Sequence, residues 1–427
     1  MFFGHPIRFM EILILSQWRI AVRWLLFGIL IIGYSGPCPA NTEEDIDTQR
    51  VVFSETTGLK SLHASGIQPY GVLTAEIVAN LEGGNETGST GLGLFDFGMD
   101  LDLDKIGGWD GTHVHLGALA IFGGDPTKDL VGDFNVLSNI AAFNTVRLFQ
   151  AWLQKEWLEG TIAIRIGQIA LDDDFMVSEN AGLFLNSAFG PLPTESGNIS
   201  APIYPLGAPG IWTKVSLTDS SYLQLAVYSG DAGDEIINDD GLEFSLGGDR
   251  GAVIFLEYGI EVQIHSLPGV YKVGGFYHTA DFENLGTGFT AEGNSSLYFS
   301  ADQTLFTESD PDQRLGSFFR IGYSPSEDHN TVRFYNDFGL TYNGIFPGRD
   351  SDIFGIAFSI TRFGDTFLIP KAGTRDSSTK TERILEITYQ IPITPNITLK
   401  PDLQVIFDPL EGESDAFIFG LRADVIF

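Results

Sequence analysis

Apolar and polar residues alternate along most of this chain with a period of two. The last stretch shows it well. Phe417, Phe419, Leu421, Ala423, Val425 and Phe427 share one face, and Gly420, Arg422 and Asp424 share the other. Successive side chains of a strand point to opposite sides, so this is a strand with one apolar face and one mostly polar face. Between Leu92 and Asp104 the apolar set Phe95, Phe97, Met99, Leu101, Leu103 opposes Asp96, Gly98, Asp100, Asp102, Asp104. A helix would scatter those aspartates around its circumference, whereas a strand gathers them on one side.

The same pattern predicts strands over Tyr70–Asn80, Leu92–Asp104, Thr112–Gly123, Asn144–Trp157, Thr161–Ile169, Gly210–Thr218, Tyr222–Ser229 and Ala252–Val262. It continues over Val270–Ala280, Ser295–Phe306, Gly316–Tyr323, Thr331–Asn343, Asp352–Phe363, Glu382–Ile391, Ile397–Phe407 and Phe417–Phe427. These are about sixteen segments, each of a length that suits a tilted crossing of a bilayer. The linkers after even-numbered strands are short, such as 158–160 and 219–221. Several after odd-numbered strands are long: 125–143, 170–209, 231–251 and 364–381. Short turns at one end and long loops at the other are the mark of an outer-membrane barrel, and a soluble sandwich has no reason to obey that parity. The fold class expected is all-β: a transmembrane outer-membrane β-barrel of about 16 antiparallel strands.

Composition sharpens this reading. Gly (50) and Phe (34) are abundant, as befits strands that bend and meet a membrane interface. A formal net charge of −32 argues against nucleic acid as a partner. Arg8, Arg19 and Arg23 flank or precede the apolar run Trp24–Tyr34, followed by Pro37-Cys38-Pro39-Ala40. That is the order of a secretory signal peptide, with cleavage expected after Ala40. The organisation expected is a signal peptide over 1–40, a periplasmic lead over 41–69 and a barrel over 70–427. The place expected for the protein is the outer membrane of a Gram-negative bacterium. Cys38 is the only cysteine, so thiol and disulfide chemistry are absent once residues 1–40 are removed. No later apolar run is long enough for a spanning helix, so membrane insertion must be by strands.

Motifs of catalysis are missing: there is no G-x-S-x-G, P-loop, H-E-x-x-H or cysteine pair. No enzyme and no cofactor are expected. His113 and His115 share a strand face but lack a third ligand, so no metal is assigned. Asp172-Asp173-Asp174 and Asp239-Asp240 fall in long loops, where solvated carboxylates are the plainer reading than calcium. The inward face carries charges of both signs. A charge facing lipid at the midplane costs a few kcal/mol, so these must face the lumen. The pore-lining and constriction candidates are Arg165, Arg320, Arg333, Arg422, Lys400, Glu76, Asp96 and Glu257. Trp212, Tyr222, Gln224 and Gln404 are candidates for solute contact. A barrel of this size is too wide for side chains to fill, so an aqueous channel is expected. The loop 170–209 holds Phe184, Phe189, Ile199 and Tyr204 and is stiffened by five prolines, Pro191, Pro193, Pro202, Pro205 and Pro209. It is expected to fold into the lumen. The terminal strand, closing on the aromatic Phe427, is expected to be read by the barrel assembly machinery.

Several stretches, taken in order, resemble the carbohydrate-selective porin family, OprB. They are Leu101–Gly111, Gly132-Asp133 with Asn139-Ile140, Val146–Leu153, Gly182–Gly190, Asn343–Arg349 and Lys400–Ile406. The resemblance implies a sixteen-stranded outer-membrane porin that passes monosaccharides passively past arginine and acidic side chains. The partners expected are sugar solutes, outer-membrane lipid and the assembly machinery, with the pore as a monomer or a homotrimer. A general or cation-preferring porin, a barrel enzyme and a secreted glycan-binding β-protein are the other classes considered.

Overall fold

The computed structural model describes residues 62–427, apart from 235, 237, 245–247, 286, 311, 327, 368–379 and 413. The expected signal peptide and most of the expected lead lie outside the described residues. Sixteen strands follow in chain order: β1 (Ile67–Glu82), β2 (Gly88–Asp102), β3 (Thr112–Gly123), β4 (Thr145–Trp157), β5 (Ile162–Ile169), β6 (Ala208–Thr218), β7 (Ser221–Ser229) and β8 (Ala252–Ile264). The second half is β9 (Leu267–Glu283), β10 (Thr290–Thr307), β11 (Arg314–Tyr323), β12 (Val332–Asn343), β13 (Ile353–Phe363), β14 (Thr381–Thr394), β15 (Ile397–Phe407) and β16 (Ala416–Ile426). Each expected strand is present.

Every strand pairs antiparallel with its neighbours in sequence, and β1 pairs with β16, so the sheet closes into a barrel without an edge. Closure satisfies every ladder donor and acceptor internally, which hydrocarbon demands. The period of two then separates two environments. Ile77, Ile166, Leu297 and Phe338 stand exposed on the outside, while Glu76, Glu257, Arg320 and Gln404 are buried on the inside. The interior is polar and the exterior apolar, the inverse of a water-soluble barrel.

Two boundaries differ from expectation. β1 begins at Ile67, inside the stretch read as lead. β2 stops at Asp102 rather than running to Asp104. The Asp102 carboxylate accepts from Asp104 N (3.2 Å) and Lys105 N (3.4 Å), which caps the short helix α1 (Leu103–Gly107). An N-cap aspartate breaks the strand because its side chain takes over the orphan helical donors. Gly108, at φ +69°, ends the helix.

The parity of the connections holds. At one end lie tight turns, including 265–266 between β8 and β9, where His265 and Ser266 take left-handed φ of 53° and 68°. That twist matches a two-residue hairpin and is strained for residues bearing a Cβ. At the other end lie the long connections 124–144, 170–207, 230–251 and 364–380. The β5–β6 loop (170–207), with its short helix α2 (Pro193–Ser196), folds back into the barrel. Its Leu183, Phe184, Ala188, Phe189 and Leu192 join wall residues Phe318 and Tyr335 in one apolar cluster. Ring centroids of Phe184 lie 5.0 Å from Phe189 and 5.8 Å from Phe318. Burying each such ring stabilises by about 1.5–3 kcal/mol, enough to hold a loop that would otherwise gain entropy in solvent. The wall makes room with glycine: a Cβ at Gly355 would meet Leu183 Cδ2 at 2.6 Å and Phe184 Cζ at 2.8 Å.

Candidate functional site

A loop folded inside a barrel brings main-chain N–H groups with it, and each needs an acceptor. The wall supplies carboxylates. Glu386 on β14 accepts from Leu185 N (2.6 Å) and Asn186 N (3.0 Å). Asp302 on β10 accepts from Asn180 N (3.1 Å), Asn180 Nδ2 (2.9 Å) and Ser178 Oγ (2.8 Å). Glu257 on β8, fully buried, accepts from Met176 N (3.2 Å), Tyr222 Oη (2.8 Å), Tyr298 Oη (2.7 Å) and Gln224 Nε2 (2.8 Å). Charge-assisted bonds of this kind are roughly twice as strong as neutral ones. Glu257 therefore anchors the loop at its start and has no free lone pair aimed at the bore.

The β3–β4 loop (124–144), expected from its length only as a long connection, is a second insert. Glu382 on β14 accepts from Phe134 N (2.7 Å) and Asn135 N (2.9 Å), and Gln404 Nε2 donates to Leu137 O (2.9 Å). Arg422 on β16 donates to Glu76 Oε2 on β1 (2.9 Å), to Ser138 Oγ (3.1 Å) and to Asn139 Oδ1 (2.8 Å). The two loops also bond to each other, Asn139 N to Leu185 O (2.7 Å) and Ser187 N to Val136 O (2.9 Å). No hydrophobic period announces such a fold. The alternation of Glu382 and Glu386 on the inward face of β14 was the available signal.

Arg320 has the same role. It is 1% exposed, pairs with Asp337 on β12 (Nε to both oxygens, 3.1 and 3.2 Å), and donates to Gly190 O (2.7 Å) and Ala188 O (3.3 Å). Its donors are turned onto the loop, not onto the bore.

Arg165 on β5 is held differently. Its guanidinium carbon lies 4.4 Å from the Trp152 ring centroid and 4.6 Å from that of Trp212, so two indoles sandwich it. Nη1 donates to Asp174 (2.7 Å) and Nε to Gln154 (3.0 Å). His115 stacks on Trp152 at 5.1 Å, and Tyr70 stacks on His115 at 5.8 Å. Tyr70, His115, Trp152, Arg165 and Trp212 thus form one run of planar groups across β1 to β6. This arc meets the β5–β6 loop at its root, where Arg165 pairs with Asp174. Burial raises Asp174 to about 6 against the opposing pull of Arg165, and raises Asp172 to about 7, helped by the neighbouring Asp173.

The remaining candidates scatter. Lys400 on β15 faces the lumen opposite Arg422 and makes no ion pair among the described residues. Asp96 lies inward on β2, half-buried, in register with Val72. Arg333 sits in a bulge at the loop end of β12, where its carbonyl accepts from Ser324 N (2.9 Å). Of the four solute-contact candidates, Tyr222, Gln224 and Gln404 are occupied by protein partners, and Trp212 flanks Arg165. His115 bonds Asp100 at 2.6 Å. Among the described residues no group of three His, Cys, Asp or Glu side chains is disposed to hold a metal.

A closed antiparallel barrel of sixteen strands, polar within, apolar without and narrowed by loops folded into its bore, is the architecture of a porin. The chain belongs to the carbohydrate-selective porin, OprB family, whose model matches residues 86–427. It is 24% identical over 393 residues to Porin B of Pseudomonas aeruginosa, covering 82% of this chain and 86% of that one. It is 25% identical over 400 residues to the putative porin QuiX of Acinetobacter baylyi, covering 85% and 89%. Among solved structures, a high-pH form of Pseudomonas putida OprB has the same fold, with a TM-score of 0.80, 21% identity, and coverage of 87% of this chain and 96% of that one.

Proposed function

We propose that this protein is a passive outer-membrane channel for small sugars, with its narrowest point between the inserted β3–β4 and β5–β6 loops and the wall formed by β1–β6, β15 and β16. The observation that carries this is the Trp152–Arg165–Trp212 sandwich. The half-buried Trp152 and Arg165 offer an indole edge and a guanidinium edge to a sugar whose hydroxyls have lost water at the constriction, while Trp212, 4% exposed, backs the guanidinium from behind. The half-buried Lys400 and Asp96 on the inward face supply further polar contacts. Binding is weak enough to release, as conduction requires. Arg165 is the constriction residue in this reading. Arg320, Arg422, Glu76 and Glu257 shape the constriction from behind by holding the loops.

The long loops face outward from the cell and the tight turns face the periplasm. The terminal strand serves recognition by the assembly machinery. The chain works as a channel and carries out no reaction. A second reading, a cation-preferring pore for small solutes, is favoured by one observation, the net charge of −32.

Liposome-swelling and bilayer measurements separate the two. The sugar reading expects glucose to interrupt ion current with a measurable half-saturation that rises when Arg165 or Trp152 is replaced by alanine. Glucose flux that scales only with molecular size, and is indifferent to both substitutions, would leave the cation-preferring reading.

A further inference from the structure

The sandwich around Arg165 is held from outside by two glutamines. An indole N–H removed from water needs an acceptor, and its direction fixes the plane of the ring. Trp152 Nε1 donates to Gln150 Oε1 at 3.0 Å, and Trp212 Nε1 donates to Gln224 Oε1 at 3.1 Å. Both glutamines are buried, 3% exposed each, so neither is placed to meet a solute. Each turns its amide nitrogen onto the first turn of the β5–β6 loop: Gln150 Nε2 to Asp173 Oδ2 (2.6 Å), and Gln224 Nε2 to Asp174 O (2.7 Å). Gln224 Nε2 also reaches Glu257 Oε1 at 2.8 Å. The same turn holds Arg165 through the Asp174 carboxylate at 2.7 Å. All three members of the sandwich are therefore oriented from one point, the root of the loop that narrows the bore. A carboxamide suits this position because it offers an acceptor toward the indole and a donor toward the loop on one planar group.

We propose that Gln150 and Gln224 are positioning residues that set solute affinity by fixing the planes of Trp152 and Trp212 around Arg165, without touching the solute. This rests on the sandwich being the sugar contact. The structure carries a specific expectation: each glutamine acts through one indole. Gln150→Leu keeps the volume and removes both hydrogen bonds. Losing one orienting bond should raise the half-saturation for glucose about threefold to tenfold. The open-channel conductance in potassium chloride should stay near that of the parent, because Gln150 is buried beneath the loop root and does not line the open bore.

The test is a double-mutant cycle in planar bilayers, with the heat-modifiable folded band as a check on assembly. Trp152→Phe keeps an aromatic face but has no N–H to orient. The expected result is that Gln150→Leu weakens glucose binding in the parent and has little further effect beside Trp152→Phe. Gln224→Leu should behave likewise with Trp212→Phe. An undiminished effect of Gln150→Leu in the Trp152→Phe background overturns the proposal, because the glutamine would then act by another route. So does an unchanged half-saturation in Gln150→Leu itself. If Trp152→Ala and Arg165→Ala also leave glucose binding unchanged, the sugar-contact reading fails and this inference fails with it. If those two weaken binding and Gln150→Leu does not, the inference alone fails.

Discussion

Arg422 on the last strand donates to Glu76 on the first, with Nε to Oε2 at 2.9 Å, across the seam that closes the barrel. The same guanidinium holds Ser138 and Asn139 at the tip of the β3–β4 loop. One buried pair thus ties the closing seam to an internal loop.

Arg422→Met should lower the temperature at which the folded band is lost on gels. Removing one member of a buried pair strands the other and costs about 3–5 kcal/mol. Replacing both partners, Glu76→Leu with Arg422→Met, should be milder, since no lone charge is left. A double variant at least as unstable as Arg422→Met would show that the loop contacts outweigh the stranded carboxylate.

At the other end of the same strand, Phe427 N donates to Gly71 O at 2.9 Å, and its ring stands edge-on to Phe95 at 6.2 Å. Phe427→Asp places a charge at the lipid-facing seam. The amount of folded protein recovered from outer membranes should fall severalfold, as quantified on unheated gels. Unchanged yield would remove this residue from the insertion step.

The strands were legible because lipid outside and water inside impose a period of two on every one of them. The inward face of Glu76, Glu257, Arg320 and Arg422 could be read for the same reason. Their partners could not. Glu76 and Arg422 are far apart in sequence and meet only through the seam register. Arg320 reads as a free eyelet charge until Ala188 and Gly190 are seen lying on it. The prolines and phenylalanines of the β5–β6 loop marked its inward fold, whereas the buried Leu130, Val131, Leu137 and Ile140 of the β3–β4 loop are spaced without a period and lack that run of prolines. Trp152 and Gln150 share the alternating face of Val146–Leu153, yet stacking on Arg165 depends on how β4, β5 and β6 are staggered.

Glu195 on α2 provides a pH dependence. It is fully buried, its oxygens accept from Thr194 Oγ1 (2.5 Å) and Ser296 Oγ (2.7 Å), and it has no salt-bridge partner among the described residues. Burial raises it from 4.5 to about 7, with Arg320 too weak an influence to offset that. A raised carboxyl favours the folded state while protonated. Its contribution is fully present below about 4.5 and is lost as pH rises through about 7. Docking of α2 against β10 and β11 should therefore loosen between these values, seen as faster protease cleavage within 190–200 in liposome-inserted protein. Glu195→Gln should flatten that part of the profile.

Topology can be tested with single cysteines, since Cys38 is the only native one. Ile236 in the β7–β8 loop is 85% exposed, and Leu158 in the β4–β5 turn is 71% exposed. Ile236→Cys should react with an impermeant maleimide on intact cells. Leu158→Cys should react only after the outer membrane is opened. The reverse pattern would mean an inverted barrel.

Arg165 and Arg320 should separate by phenotype. Arg320 is enclosed between Asp337 and the carbonyls of Ala188 and Gly190, so Arg320→Met frees the β5–β6 loop and leaves Asp337 with Tyr335 Oη at 2.8 Å as its remaining side-chain partner. The loop then loses a clamp, and single-channel conductance should rise and become noisier while glucose selectivity falls. Arg165→Met leaves the loop fastened at Glu257, Asp302 and Glu386. Its conductance should change little, and its half-saturation for glucose should rise about tenfold, the scale of a lost charged hydrogen bond. Both variants should shift the reversal potential in a salt gradient toward cations, because each removes a positive charge from the bore wall or its backing. Equal conductance changes in the two variants would mean that both arginines act only as struts, and that the sugar is gripped elsewhere.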